Sequence, residues 1–177
     1  LLILILVVSG VVAVLNPRFL SPVNLSNTAN LIGLFGIFAI AQAFVIISGG
    51  IELSSGSVIA LLGVIFVDLV GNDVLSPASA TVLVLALGAL IGALHGVLVA
   101  RVGLQPFVVT LCGLLIYRGI ARYYTEDATA GFAFGASFPG LEWLTTGRLL
   151  GVPNSLTAML VIAGLTGVFL HRSVYGR

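Results

Sequence analysis

TANLIGLFGIFAIAQAFVIISGGIELSSGSVIALLGVIFVDLV, Thr28 to Val70, holds two apolar runs and one polar interruption. The first run, Thr28 to Ser48, carries no charge and reaches the roughly 20 residues that a bilayer-crossing helix needs. The second, Ser57 to Val70, is too short to cross alone at about 1.5 Å per residue, and Asp68 falls near its end. Extending it back through "ELSS" restores the length, with Gly49 and Gly50 breaking the path between the two helices. The interruption therefore sits at a membrane edge or dips inside it. Non-helical backbone at depth is tolerated only where protein or a wet cavity satisfies it. Ser54 or Ser55 can cap the following helix, and the dipole favours Glu52 near that N-terminus. Two readings stand. One is a capped interfacial turn. The other is a substrate path or gate lined by Gly49, Gly50, Glu52, Ser54, Ser55 and Ser57, since ionisable groups inside membranes mark such paths.

Composition decides the class. Of 177 residues, 59% are hydrophobic and 7% charged, and the mean hydropathy is +1.25. A soluble domain carries roughly a quarter charged residues, so this chain cannot clothe a water-exposed surface. It reads as an all-α, polytopic integral membrane protein. There is no lysine, and the arginines are scattered, so no basic patch for nucleic acid exists. The lone Cys112 lies in an apolar run and reads as a small packing residue. No pair of His, Cys or carboxylates has metal-ligand spacing.

Outward from the opening stretch, Ala78–Ala100 is a further span with His95 as its only ionisable group. Val102–Tyr117 is apolar and extends to Tyr124 if Arg118 and Arg122 snorkel to the interface. Leu156–Leu170 is another span. The opening "LLILILVVSGVVAVL" reads as a truncated first helix, since it lacks the basic region and cleavage site of a signal peptide. The sum is about six membrane helices in one permease-like domain over residues 1–177, read as a piece of a longer protein. "NPRFLSPVNLSN" supplies Asn24, Ser26 and Asn27 as candidate caps, and Pro106 suits the first turn of a helix. The longest connection, Thr125–Asn154, holds three phenylalanines and Trp143, enough for a packed face. Helix parity puts "GGIELSSG", "RVGLQP" and "HRSVYGR" on one side, but arginines on both sides leave the orientation undecided by charge.

Gly88, Gly92 and Gly96 recur every four residues, so they share one helix face on which another helix can approach closely. His95 beside that face reads as a packing or hydrogen-bonded histidine. Arg118 and Arg122, ringed by Tyr117, Tyr123 and Tyr124, read as an interfacial belt. A sharper reading docks an external partner through Arg122, Glu126 and Asp127. An intramembrane serine protease would want glycine two residues before its nucleophile; Leu53 stands there before Ser55, and no third group accompanies His95.

"FVIISGGIELSSGSVIAL" resembles the signature of monosaccharide ABC importer permeases of the ribose, xylose and galactose type, which reads close to G-G-I-D-L-S-x-G-S. Glu52 replaces the usual aspartate, and Ser55 stands where valine is common. "HGVLVARVGLQPFVVTLCGLLIYRGIARYYT" resembles a second family segment, with His95 in place of a common asparagine. "HRSVYGR" resembles the start of the cytoplasmic loop that leads to the ATPase-contacting helix, which gives Arg172, Tyr175, Gly176 and Arg177 an expected coupling role. The resemblance implies the fold of the vitamin B12 importer permeases and a site in the bacterial inner membrane. It also implies a homodimer that takes a monosaccharide from a periplasmic binding protein and opens as an ATP-binding cassette ATPase closes. It implies no enzyme activity and no cofactor of its own. The chain has no G-x-x-x-x-G-K-[ST], so ATP belongs to the partner subunit. The rival classes are a secondary transporter or channel, against which the lack of charges deep in the helices speaks, and a purely structural membrane subunit.

Overall fold

Proline sets where the helices begin. Pro22, Pro77, Pro106 and Pro139 each stand at the first position of an α-helix, where the missing N–H and fixed φ cost nothing. The computed structural model describes residues 1–172. In chain order these form α1 (Leu2–Leu15), a 3-10 turn (Pro17–Leu20), α2 (Pro22–Ile47), α3 (Ser55–Gly71), α4 (Pro77–Ala100), α5 (Pro106–Tyr124), α6 (Pro139–Thr146), a two-stranded hairpin of β1 (Arg148–Leu149) and β2 (Val152–Pro153), and α7 (Asn154–Arg172).

Helix α2 starts six residues before the expected Thr28, because Pro22 opens it and the Ser21 hydroxyl accepts the Asn24 N–H at 3.3 Å. Asn24 is no cap; its amide donates back to the Phe19 carbonyl at 2.7 Å. Helix α5 starts at Pro106, the proline expected in a first helical turn, so the apolar run from Val102 is helical only from there, and the expected extension to Tyr124 is present. Helices α2, α4 and α7 are long and apolar enough to cross a membrane, and α1 and α3 are shorter apolar helices.

The chain forms two compact units. In the first, Leu1–Ala41 with Pro139–Arg177, α2 and α7 meet at glycine. A Cβ on Gly33 would overlap the backbone of Ser155 and Leu156, and Gly36 lies under the Met159 side chain. The Ser155 hydroxyl, in a side chain that is almost fully buried, donates to Asn30, whose carbonyl oxygen is 3.1 Å away. The Asn154 amide donates to the Trp143 carbonyl at 2.6 Å and ties α6 to the start of α7. The hairpin pairs Arg148 with Pro153 and Leu149 with Val152; its turn residues Leu150 and Gly151 both have positive φ, as a tight two-residue hairpin requires.

The second unit, Gln42–Phe138, is an up–down–up set of α3, α4 and α5. Ile51, just before α3, meets Thr110 in the first turn of α5, and Asp68 near the end of α3 accepts the Tyr124 hydroxyl proton at 2.6 Å. So α3 and α5 run parallel, with α4 between them in sequence and reversed. Phe132 and Phe138 stack at 4.8 Å between ring centres, and Phe132 meets Phe66 of α3 edge-on at 6.2 Å. This is the packed face expected of the long connection.

Burial is inverted relative to a water-soluble fold. Among the described residues the buried apolar side chains are few, Leu61, Val70, Ala80, Val109 and Ala121. Large apolar side chains such as Leu85, Leu115 and Leu165 are about two-thirds exposed, at 68%, 63% and 66%. An apolar surface on helices that satisfy their own backbone groups is what lipid demands. Cys112 is exposed, not packed.

Candidate functional site

The double glycine ends α2 in a Schellman arrangement. Gly49 takes φ +77°, its N–H bonds the Ile46 carbonyl, and the Gly50 N–H reaches the Val45 carbonyl at 2.9 Å. A side chain at Gly50 would meet the Val45 methyl at 2.9 Å, so each glycine has its own reason. The chain then runs outside any helix or strand from Gly50 to Leu53 before α3 begins at Ser55. The expectation that the helix continues back through "ELSS" is therefore half right. Ser54 and Ser55 open α3, but Glu52 and Leu53 are not helical, because the Glu52 carboxylate folds forward onto the helix start.

Ser54 occupies the N-cap position, yet its side chain caps nothing. Glu52 Oε1 instead accepts the Ser54 N–H at 2.5 Å and the Ser54 hydroxyl at 2.6 Å. Ser54 is 1% exposed, so these bonds lie in a dry place where charge-assisted contacts are strong. Buried Ser57 donates to the Ser54 carbonyl at 2.7 Å. Gln42, near the end of α2, donates to the Ser55 hydroxyl at 2.8 Å. From α5, the Thr110 hydroxyl reaches the Ile51 carbonyl at 3.1 Å. The non-helical strap is thus tied to α5 through Ile51, and Gln42 of α2 meets the start of α3 beside it.

The other oxygen of Glu52 faces α4. Glu52 Oε2 stands 3.9 Å from His95 Nδ1, and the two side chains are 17% and 12% exposed. The other ring nitrogen, His95 Nε2, is hydrogen-bonded to the Tyr117 hydroxyl of α5 at 2.9 Å. Gly113 makes room for this pair, since a Cβ there would meet the His95 and Tyr117 rings at 3.0 Å. His95 is five residues from the end of α4, about 7.5 Å inside it, which sets the depth of Glu52.

The structure therefore gathers Glu52, Ser54, Ser55 and Ser57 at one place and adds Gln42, His95, Thr110 and Tyr117. Sequence reasoning had assigned Tyr117 to an interfacial belt and given Gln42, Thr110 and Gly113 no role. A lone amide in an apolar span is the signal that could have found Gln42. Among the glycines of α4, Gly88 lies against Leu62 of α3, at 3.2 Å from its place for a Cβ, while Gly92 and Gly96 have no neighbour within 4 Å. Arg122 pairs with Asp127 on the surface, and its hydrogen bond holds the Asp127 carboxyl below the usual carboxylate range. Arg172 ends α7, whereas Tyr175, Gly176 and Arg177 lie outside the described residues.

Apolar, exposed helices, three of them long and apolar enough to cross a membrane, define a predominantly α-helical, multi-pass membrane protein. The family described as "Branched-chain amino acid transport system / permease component" matches residues 24–177, and the chain belongs to it. Among curated relatives, it is 35% identical to the ribose import permease protein RbsC of Escherichia coli (strain K12), over 99% of this chain and 54% of the relative. It is 32% identical to RbsC of Bacillus subtilis (strain 168), over 94% and 51%. Over 79% of this chain and 39% of the relative, it is 31% identical to the fructose import permease protein FruF of Bifidobacterium longum (strain NCC 2705). The chain spans about half the length of the curated relatives it matches. No solved structure matches it.

Proposed function

We propose that the chain is the first half of the permease subunit of a bacterial ATP-binding cassette importer for a monosaccharide. The observation that carries the reading is the similarity to ribose and fructose import permeases, which for ribose extends over nearly the whole chain. The Glu52–Ser54–His95–Tyr117 cluster supports it chemically. Sugar hydroxyls need hydrogen-bonding partners in an otherwise apolar path, and this is the densest such set in the second unit. In this reading Gly49 and Gly50 shape the gate, and Glu52, Ser54, Ser55 and Ser57 line the path or hold it. The protein performs no reaction on its cargo. It sits in the inner membrane with about six spans in this segment, in the manner of the vitamin B12 importer permeases. Its partners are an ATPase subunit, a periplasmic sugar-binding protein and a second permease copy. The open face at Gly92 and Gly96 suits close approach of another helix in that assembly. Arg172, Tyr175, Gly176 and Arg177 begin the coupling loop toward the ATPase.

The test is uptake of radiolabelled D-ribose and D-fructose by cells carrying the full-length permease with its ATPase and binding protein. Uptake that disappears when the ATPase is made hydrolysis-deficient supports the reading. Uptake that persists under that condition, driven by an ion gradient, would replace it with a secondary transporter.

Orientation has its own test. The connection between α5 and α7 is expected outside the cytoplasm and the end of α7 inside. A single cysteine at Thr129, in a Cys112→Ser background, should react with a membrane-impermeant maleimide on intact spheroplasts. Reaction only after permeabilisation would invert the topology.

A further inference from the structure

We infer that Glu52 and His95 form a paired donor–acceptor subsite for one hydroxyl of the transported molecule, and that Tyr117 is the positioning residue that sets it. The inference rests on the sugar reading above and names how the site would recognise its cargo.

The geometry is specific. Glu52 Oε1 is occupied by two donors of Ser54, so only Oε2 is left to accept from outside. Oε2 and His95 Nδ1 are 3.9 Å apart, too far for a mutual hydrogen bond, and among the described residues neither atom has a hydrogen-bond partner. A hydroxyl is donor and acceptor at once. Standing beside the gap, about 2.7–2.9 Å from each atom, it donates to Oε2 and accepts from Nδ1–H.

That arrangement requires the proton on Nδ1, and the second ring nitrogen decides it. In a neutral imidazole one nitrogen donates and the other accepts, as fixed by the bond the other makes. The subsite requires Tyr117 to be the donor in its 2.9 Å hydrogen bond with Nε2, and in that tautomer Nδ1 carries the proton and donates. Gly113 lets the two rings come this close. Neither Glu52 nor His95 alone requires one group to donate and accept at once; the pair does, as a hydroxyl can.

The experiment compares uptake of D-ribose and its 2-deoxy, 3-deoxy and 5-deoxy analogues by the complete importer. Wild type, Tyr117→Phe and His95→Ala are compared at matched membrane levels. Each variant is expressed as a ratio to wild type, so discrimination by the binding protein cancels. A site built to bond a hydroxyl rejects the analogue lacking it, because its polar groups are left unpaired. The expected result is that both variants lose ribose uptake at least fivefold while uptake of one deoxy analogue changes less than twofold. Tyr117→Phe keeps the ring and its packing, so the result does not depend on His95→Ala folding normally. A merely structural role lowers all four compounds equally. Such a uniform loss, or no change in any of them, overturns the subsite and leaves the importer standing. A wild type that takes up none of the four overturns the ribose-type reading and the subsite with it.

Discussion

Gly33→Leu is expected to leave little folded permease in the membrane. Gly33 is buried where α2 crosses the start of α7, and a Cβ there falls on the backbone of Ser155 and Leu156. No rotamer relieves a clash with backbone, so the helices must separate. Separation also breaks the Ser155–Asn30 hydrogen bonds, which hold the same crossing. Overpacking alone typically costs about 1–3 kcal/mol, and in lipid there is no hydrophobic drive to bring the helices back together. A loss of tenfold or more in monodisperse protein is expected, read by size-exclusion chromatography of the detergent-solubilised, full-length complex. Two controls make the cause specific. Gly36→Ala meets the Met159 side chain rather than backbone, so Met159 must repack and the loss should be smaller than for Gly33→Leu. Gly164→Leu, with no neighbour within 4 Å, should accumulate normally. Equal yields for Gly33→Leu and Gly164→Leu would show that the α2–α7 crossing does not hold the unit together.

The glycine result marks where sequence stops being informative. Spacing shows that Gly88, Gly92 and Gly96 share a face, but periodicity is a property of one helix and says nothing about whether another helix lies there. Of these three only Gly88 meets a side chain among the described residues, whereas the close crossing falls at Gly33, in a run whose spacing carries no such pattern. Three of the expected spans, α2, α4 and α7, are long and apolar enough to cross a membrane, and they were legible because lipid imposes length and apolarity on each helix separately. Helix starts were legible where proline opens the apolar run, as at Pro106, and not at Pro22, where proline opens the helix within a polar connection. The "GGIELSS" strap was recognisable as a break in the helical path, since a carboxylate and two glycines cannot continue an apolar helix cheaply. Its partners were not recognisable. His95 and Tyr117 are 22 residues apart across a turn, and the depth at which they meet depends on where α4 stops and α5 starts. Gln42 and Ser55 meet only because the strap doubles back, a tertiary fact with no local pattern.

Glu52→Gln separates the two roles that its carboxylate can play. The structure gives Oε1 to the start of α3 and leaves Oε2 toward His95. Glutamine keeps an oxygen for Ser54, so the helix start and the fold should survive. At the second position it places an NH2 that donates where the carboxylate accepted. If Glu52 serves transport, uptake should fall about tenfold, since a charge-assisted bond is worth about 1.5–3 kcal/mol against roughly 1 for a neutral one. If it serves only as a helix-start anion, the loss is that of the dipole interaction, about 0.3–1 kcal/mol, and uptake should barely change. Glu52→Asp should be mild under either role, because an aspartate can bond the N–H two residues on, here that of Ser54, and it retains the charge. The measurement is initial-rate uptake of labelled monosaccharide at membrane levels equalised by immunoblot. Full uptake by Glu52→Gln would falsify the transport role and leave the carboxylate as the device that folds the strap onto α3. A tenfold loss in Glu52→Gln with near-normal uptake in Glu52→Asp would tie transport to the charge itself, since both variants keep an acceptor for Ser54.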